Sequence, residues 1–424
     1  MAARVNGVPI QRLSLDVLAR MAQMEDPKIS RTVVLESIIA NRLLAKAGEA
    51  QIQEFDLRAQ GKRVAFAREV QLDDQVSGHL RTVFRDEIEA EIKKLPGANL
   101  DSVVLEQAKI DSAQLDQVFG PRSRILLDYN LNAEQLERAK QVLVLRSSLK
   151  QGASVTLYDV YRRQNVQGRL EFFNRNLDFI RQQAMLYIAN LYVQDWATKR
   201  FGAAAVQDLR QTLADQVDVR SLMALHGIGA DIDAESQLVN QLAKRITPEE
   251  VQAYYAAHKE EFKRIEWVKA RHIRLADEAK ANEVVALAAK GGEFAKLAQQ
   301  YSIARDAKQG GDLGIIKHQG KLSWLAELAF MQEEGKVSPP FRAAVGPKEE
   351  AYWEVVLVEK KQEGFQDVNS ESVRYLAGRA IAQEKAAKQI TSLREQLLKS
   401  AKVEVNRSAL ELPPAAHRTS GKAR

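Results

Sequence analysis

At 424 residues the chain is too long for one ordinary hydrophobic core, so two or three domains are expected. Charged residues make up 28% and are nearly balanced, 62 basic against 56 acidic. That balance describes a soluble folded protein and not a nucleic-acid binder, whose basic charge is concentrated. Cysteine is absent, which excludes disulfides and thiolate-ligated metals and fits an oxidising cell-envelope compartment.

Residues 4–10, Arg-Val-Asn-Gly-Val-Pro-Ile, predict two short strands about an Asn6-Gly7 turn. The start, Met1-Ala2-Ala3-Arg4-Val5, shows neither the charged nor the apolar region of a signal peptide. A periplasmic or cell-envelope location is therefore expected if a signal peptide was removed, and a cytoplasmic one otherwise. No segment reaches the roughly 18 apolar residues of a membrane span, so no integral membrane segment is expected.

Ser30 reads as an N-cap, followed by an apolar stripe of Val34, Leu35, Ile38, Ile39 and Leu43 that ends near Gly48. From there to about residue 262 the pattern is helix after helix. Segments 135–149, 169–201 and 234–245 carry apolar residues at spacings of three and four. Breaks are expected at Pro96-Gly97, Gly120-Pro121, Gly152 and 226–229. The pattern 169–201 is the longest, and its aromatic and Met residues suit a core helix better than an exposed client-binding face. Thr247-Pro248-Glu249-Glu250 is a strong helix start, with a threonine cap, proline at the first turn and a glutamate closing the capping box.

The chain changes character at Trp267. Strand alternation over 267–275 places His272 on one face with Val268 and Ala270. Helices are expected over 277–290 and 293–301, the second with Phe294, Leu297, Ala298 and Tyr301 on one side. A Gly310-Gly311-Asp312-Leu313-Gly314 loop follows, and 352–358 is the last clear strand of a compact α+β unit. A long helix over 370–399, a short strand at 402–405 and a disordered basic tail containing Pro413-Pro414 complete the chain.

General chemistry singles out little. The six histidines lack ligand spacing, so no metal is expected. The glycine loop lacks the Lys-Ser/Thr pair of a phosphate loop, and no serine sits in a nucleophile elbow. His272 alone on a strand face is more often a hydrogen-bonded core residue than a catalyst.

Taken in order, Ala270-Arg271-His272-Ile273, the Phe294-Ala295-Lys296-Leu297-Ala298-Gln299-Gln300-Tyr301-Ser302 helix, Gly310-Gly311-Asp312-Leu313-Gly314, Ala329-Phe330 and Gly335-Lys336-Val337-Ser338-Pro339-Pro340-Phe341 resemble a parvulin-type prolyl isomerase domain. The flanks resemble secreted foldase-chaperones of the SurA and PrsA type. This resemblance implies an α+β chain. A large, mainly helical client-binding module at 1–265 would precede one compact parvulin-like domain at 266–362. A helix and strand at 363–408 would pack back on the N-terminal module, with the strand pairing near residues 4–10, and a disordered tail would run over 409–424.

The resemblance implies no cofactor, and as partners unfolded or proline-containing polypeptide clients. Position by position, His272 takes the place of the family's first active-site histidine. Ala304 stands where the family keeps Cys or Asp, with Asp306 two residues on as a partial replacement. Trp353 takes the place of the second histidine. Leu322, Leu325 and Phe330 would line the proline slot, beside Trp353. His272 is thereby expected to lose partners, leaving isomerase activity weak or absent and polypeptide binding intact. Three readings stay open: an active isomerase, a binding-only chaperone, and a helical scaffold dedicated to one partner or export system. Neither the client nor the oligomeric state is legible.

Overall fold

The computed structural model describes residues 1–59, 68–120, 129–150, 153–229, 236–346 and 349–411. Pro121, Gly152 and Pro413-Pro414, named above as breaks or tail, lie outside them. The fold is α+β, and the chain forms two compact units, Met1–Leu238 with Ala386–Arg424, and Val239–Lys385. Ten strands occur among the described residues: β1 (Ala3–Val5), β2 (Val8–Ile10), β3 (Val104–Gln107), β4 (Leu143–Ser147), β5 (Ser154–Thr156), β6 (Lys263–Leu275), β7 (Asp312–Lys317), β8 (Phe341–Arg342), β9 (Trp353–Phe365) and β10 (Val403–Val405).

In the first unit, Asn6 and Gly7 adopt φ of 47° and 85°, the left-handed pair that a two-residue hairpin turn requires. β10 returns to pair antiparallel with β1, setting Val405 opposite Ala3 and Val403 opposite Val5. The chain beyond it is ordered further than expected. Ala409 is fully buried, and its carbonyl accepts bonds from Arg31 Nε at 3.1 Å and Nη2 at 2.9 Å. A disordered tail from 409 is therefore corrected for 409–411.

Three helix expectations are also corrected. The helix expected to stop near Gly48 runs Arg31–Ala59, because Gly48 lets Leu222 approach where a Cβ would lie 2.9 Å from its Cδ2. Segment 169–201 is two helices, Val166–Phe173 and Leu177–Phe201, broken at Arg175 (φ 61°). The Arg175 side chain is buried and bonded to Asp116 at 2.9 Å. Segment 135–149 is helical only to Gln141 and then becomes β4, which pairs with β3 and β5. Leu143-Val144-Leu145 satisfies either period, and only pairing with strands remote in sequence selects β.

In the second unit, Thr247 and Glu250 form the expected capping box. The helix they start, Pro248–Ala257, belongs to this unit and not to an N-terminal module ending at 265. Its Val251 packs with Phe262, Val373 and Ala377. The sheet order is β7-β6-β9-β8, all antiparallel. β6 and β9 are 13 residues each and carry different apolar sets on their two faces. Ile273, Leu275 and Val355 face helices Glu278–Ala289 and Phe294–Tyr301, while Val268, Ala270, Val356 and Val358 face helix Trp324–Met331.

Candidate functional site

Strand alternation puts His272 on the second of these faces, opposite Val356 in the β6·β9 ladder and two residues from Ala270. There Ala329 is buried, and Leu313, Ile316, Leu325, Leu328 and Phe330 are partly exposed around it. The result is an apolar surface whose side chains were not all used in building the core. Helix Trp324–Met331 is pinned at both ends. Ser323 caps it, and Lys361 Nζ donates to the Phe330 carbonyl at 2.8 Å, where the helix dipole is negative. The exposed His318 ring meets Phe330 edge-on, 5.2 Å between centroids.

The polar end of the site is a chain of alternating charges. His272 Nδ1 lies 2.7 Å from Glu354 Oε2, and its Nε2 lies 2.9 Å and 3.1 Å from the two oxygens of Asp306. The other Glu354 oxygen accepts from Arg274 Nε at 2.7 Å, and that guanidinium lies 4.1 Å from the Tyr352 ring. Glu354 is wholly buried and His272 nearly so, whereas the Asp306 side chain is 31% exposed. The network therefore runs from the interior to the rim.

Local backbone geometry delivers Asp306 to this place. The Ser302 hydroxyl accepts the backbone N–H of Arg274 at 3.1 Å and of Ala304 at 3.2 Å, which ties the end of helix Phe294–Tyr301 to β6. Gly311 N–H donates to the Asp306 carbonyl at 3.0 Å, and His272 N–H to the Gly311 carbonyl at 2.8 Å. On the other edge of β9, the buried Ser338 hydroxyl accepts the Val356 N–H at 2.8 Å.

Of the residues expected from sequence, His272 and Asp306 are in contact, and Leu325 and Phe330 lie together on the same sheet face. Leu322 is half-buried but outside that apolar cluster. Trp353 is on the wrong face. It pairs with Leu275 and packs among Ile273, Phe294 and Leu297. A shift of one residue reverses the side of a strand, so the group beside His272 is Glu354 and not Trp353. His272 is accordingly not left without partners, which corrects the expectation from Ala304 and Trp353. Glu354, Arg274 and Ser302 were missed, although a lone carboxylate inside Trp353-Glu354-Val355-Val356-Leu357-Val358 is a visible signal.

Burial alone would push the His272 imidazole down, but its hydrogen bonds and charge pairing with Glu354, and then Asp306, raise it above the ordinary histidine value. A raised folded-state value means that protonated His272 stabilises this unit fully below about pH 6.5 and progressively less as pH climbs through the folded value. The charged groups around the ring are Glu354 on β9, Asp306 on the loop and, through Glu354, Arg274 on β6. Three of the four tryptophans, Trp267, Trp324 and Trp353, report on this unit by fluorescence. Denaturant unfolding followed that way is expected to show stability falling as pH rises above about 6.5. His272→Gln should flatten the dependence, and stability that holds or rises over this range would contradict the charge assignment.

Among the described residues no His, Asp and Glu group is arranged to hold a metal, and no helix is long and apolar enough to cross a membrane. A buried imidazole thus lies between two carboxylates, beside an apolar surface on a four-stranded sheet. Residues 246–366 match the PPIC-type PPIASE domain family.

The chain therefore carries a PPIC-type domain over these residues and is similar to foldase proteins. It is 28% identical over 222 residues to the foldase protein PrsA of Caldanaerobacter subterraneus, covering 51% of this chain and 69% of that protein. With the Bacillus subtilis PrsA it shares 36% identity over 80 residues, 19% of this chain and 27% of that one. Among solved structures, a SurA-like chaperone of Campylobacter jejuni aligns over 61% of this chain and 99% of its own at 20% identity, with a TM-score of 0.23.

Proposed function

We propose that the protein binds X-Pro segments of non-native polypeptides at the apolar face beside His272 and catalyses their cis–trans interconversion. The observation that supports this is the continuous chain Asp306–His272–Glu354–Arg274 lying on the same sheet face as Leu325 and Phe330. Uncatalysed interconversion is slow because amide resonance sets a barrier of about 18–20 kcal/mol. Twisting the amide removes that resonance and with it part of the amide dipole. A site that grips the proline ring on hydrocarbon and withholds water therefore favours the twisted state over the planar one.

In this reading Leu325 and Phe330 hold the ring, with Leu322 at the margin. Asp306 is the polar group at the mouth, held by His272. The helical unit engages further stretches of the client, consistent with relatives named foldases. The clients are unfolded, proline-containing polypeptides. A periplasmic or cell-envelope location suits such a role.

The test is refolding of a client limited by one prolyl isomerisation, with the full chain as catalyst. Acceleration is expected, and Phe330→Ala should lower kcat/KM by about tenfold or more, from loss of roughly 1.5–3 kcal/mol of ring contact. Suppression of client aggregation without acceleration would replace this reading by binding alone.

A further inference from the structure

Both ring nitrogens of His272 face carboxylates. Glu354 Oε2 is 2.7 Å from Nδ1, and the Asp306 oxygens are 2.9 Å and 3.1 Å from Nε2. An ionised carboxylate can only accept, so each ring nitrogen must donate, which only the imidazolium can do. Glu354 is in turn fixed by geometry. Its second oxygen accepts from Arg274 Nε at 2.7 Å, so a guanidinium pairs with it on the side away from the ring. A carboxylate with no solvent exposure is costly unless every oxygen is met by a donor, and here each is. Glu354 sits on β9 directly opposite Arg274, with His272 two residues along β6, so the strand pairing sets its distance to both.

We propose that Glu354 is a positioning residue that acts through His272, keeping the ring doubly protonated and turned so that its Nε2–H holds Asp306 at the mouth of the slot. This rests on the functional reading above but extends it. His272 then has no free lone pair and does not act as a base. Its work is to anchor Asp306, and the outer members of the chain exist to keep it charged. Arg274 serves the same end one step further out, and its guanidinium is itself fixed over Tyr352. The arrangement explains why a glutamate interrupts the apolar run 353–358 of β9. An apolar side chain at 354 would leave Nδ1 without an acceptor and free the ring to lose its proton.

Two measurements on the full chain test this. In the unmodified protein, nitrogen NMR of ¹⁵N-histidine is expected to show both ring nitrogens of His272 protonated at about pH 7.5, a full unit above the free histidine value. Glu354→Gln removes the ionised acceptor while keeping the shape, and should leave a single protonated nitrogen at that pH. The isomerase pH profile should shift with it. Glu354→Gln is expected to lose about tenfold in kcat/KM at pH 7.5 and to recover to within about twofold near pH 5.5, where the ring is protonated without help. A single protonated nitrogen in the unmodified chain at pH 7.5, or an equal loss at all pH values in Glu354→Gln, would overturn the proposal. Absence of isomerase activity in the unmodified chain would instead remove the functional reading, and the NMR result would still decide the role of Glu354.

Discussion

Gly311→Ala is expected to destabilise the second unit strongly and to disrupt the site around His272. Gly311 has a φ of 63°, and a Cβ there would lie 1.9 Å from the His272 carbonyl oxygen, a backbone atom with nowhere to move. The same glycine accepts the His272 N–H and donates to the Asp306 carbonyl, so relieving the clash breaks the contacts that set the site. The left-handed conformation costs about 1–2 kcal/mol for a residue with a side chain, and the clash adds to it, for a total on the order of 4 kcal/mol. Gly314 supplies the control. Its φ of 64° is nearly identical, but nothing lies within 4 Å of a Cβ. Gly314→Ala should therefore cost only the conformational part, about 1–2 kcal/mol. Denaturant unfolding read by tryptophan fluorescence compares the two, and equal midpoints would show that close approach is not what requires glycine at 311.

Arg42→Met is the change expected to damage the first unit most. Arg42 donates to Asp215 at 2.8 Å, to Asp208 at 2.9 Å and to Thr212 at 2.9 Å, with its side chain only 12% exposed. Asp208 also accepts the Gln11 N–H and the Ser14 hydroxyl, both at 2.6 Å, so one guanidinium joins three segments distant in sequence. Removing it leaves two buried carboxylates without their cation, at a cost of about 3–5 kcal/mol. Adding Asp208→Asn and Asp215→Asn to Arg42→Met should recover part of that loss, because the penalty lies mainly in the uncompensated charges. A cost below about 1 kcal/mol for Arg42→Met alone, measured by chemical denaturation, would mean that the carboxylates find other partners.

The sequence was most legible where local chemistry decides structure. Asn6-Gly7, the Thr247–Glu250 cap and the amphipathic helix Phe294–Tyr301 each form where their residues indicate, because turn, cap and period are short-range properties. It was least legible at 135–149 and 169–201. In the first, helix and strand patterns overlap and remote strands choose between them. In the second, one buried arginine with positive φ breaks an otherwise continuous period.

At the site the same division holds. His272, Asp306, Leu325 and Phe330 could be named from motif order, since each lies inside a recognisable local segment. The place assigned to Trp353 belongs to Glu354, because a strand pattern without its pairing register leaves the inward face uncertain by one residue. By itself, then, the sequence determined that this chain carries a parvulin-type domain with flanking helical segments, through turns, caps and spacings that act over a few residues. Only the tertiary structure decided that His272 lies between two carboxylates, because Asp306 and Glu354 reach it from 34 and 82 positions away. Separations of that size are closed by sheet register and loop packing, and no local pattern records them.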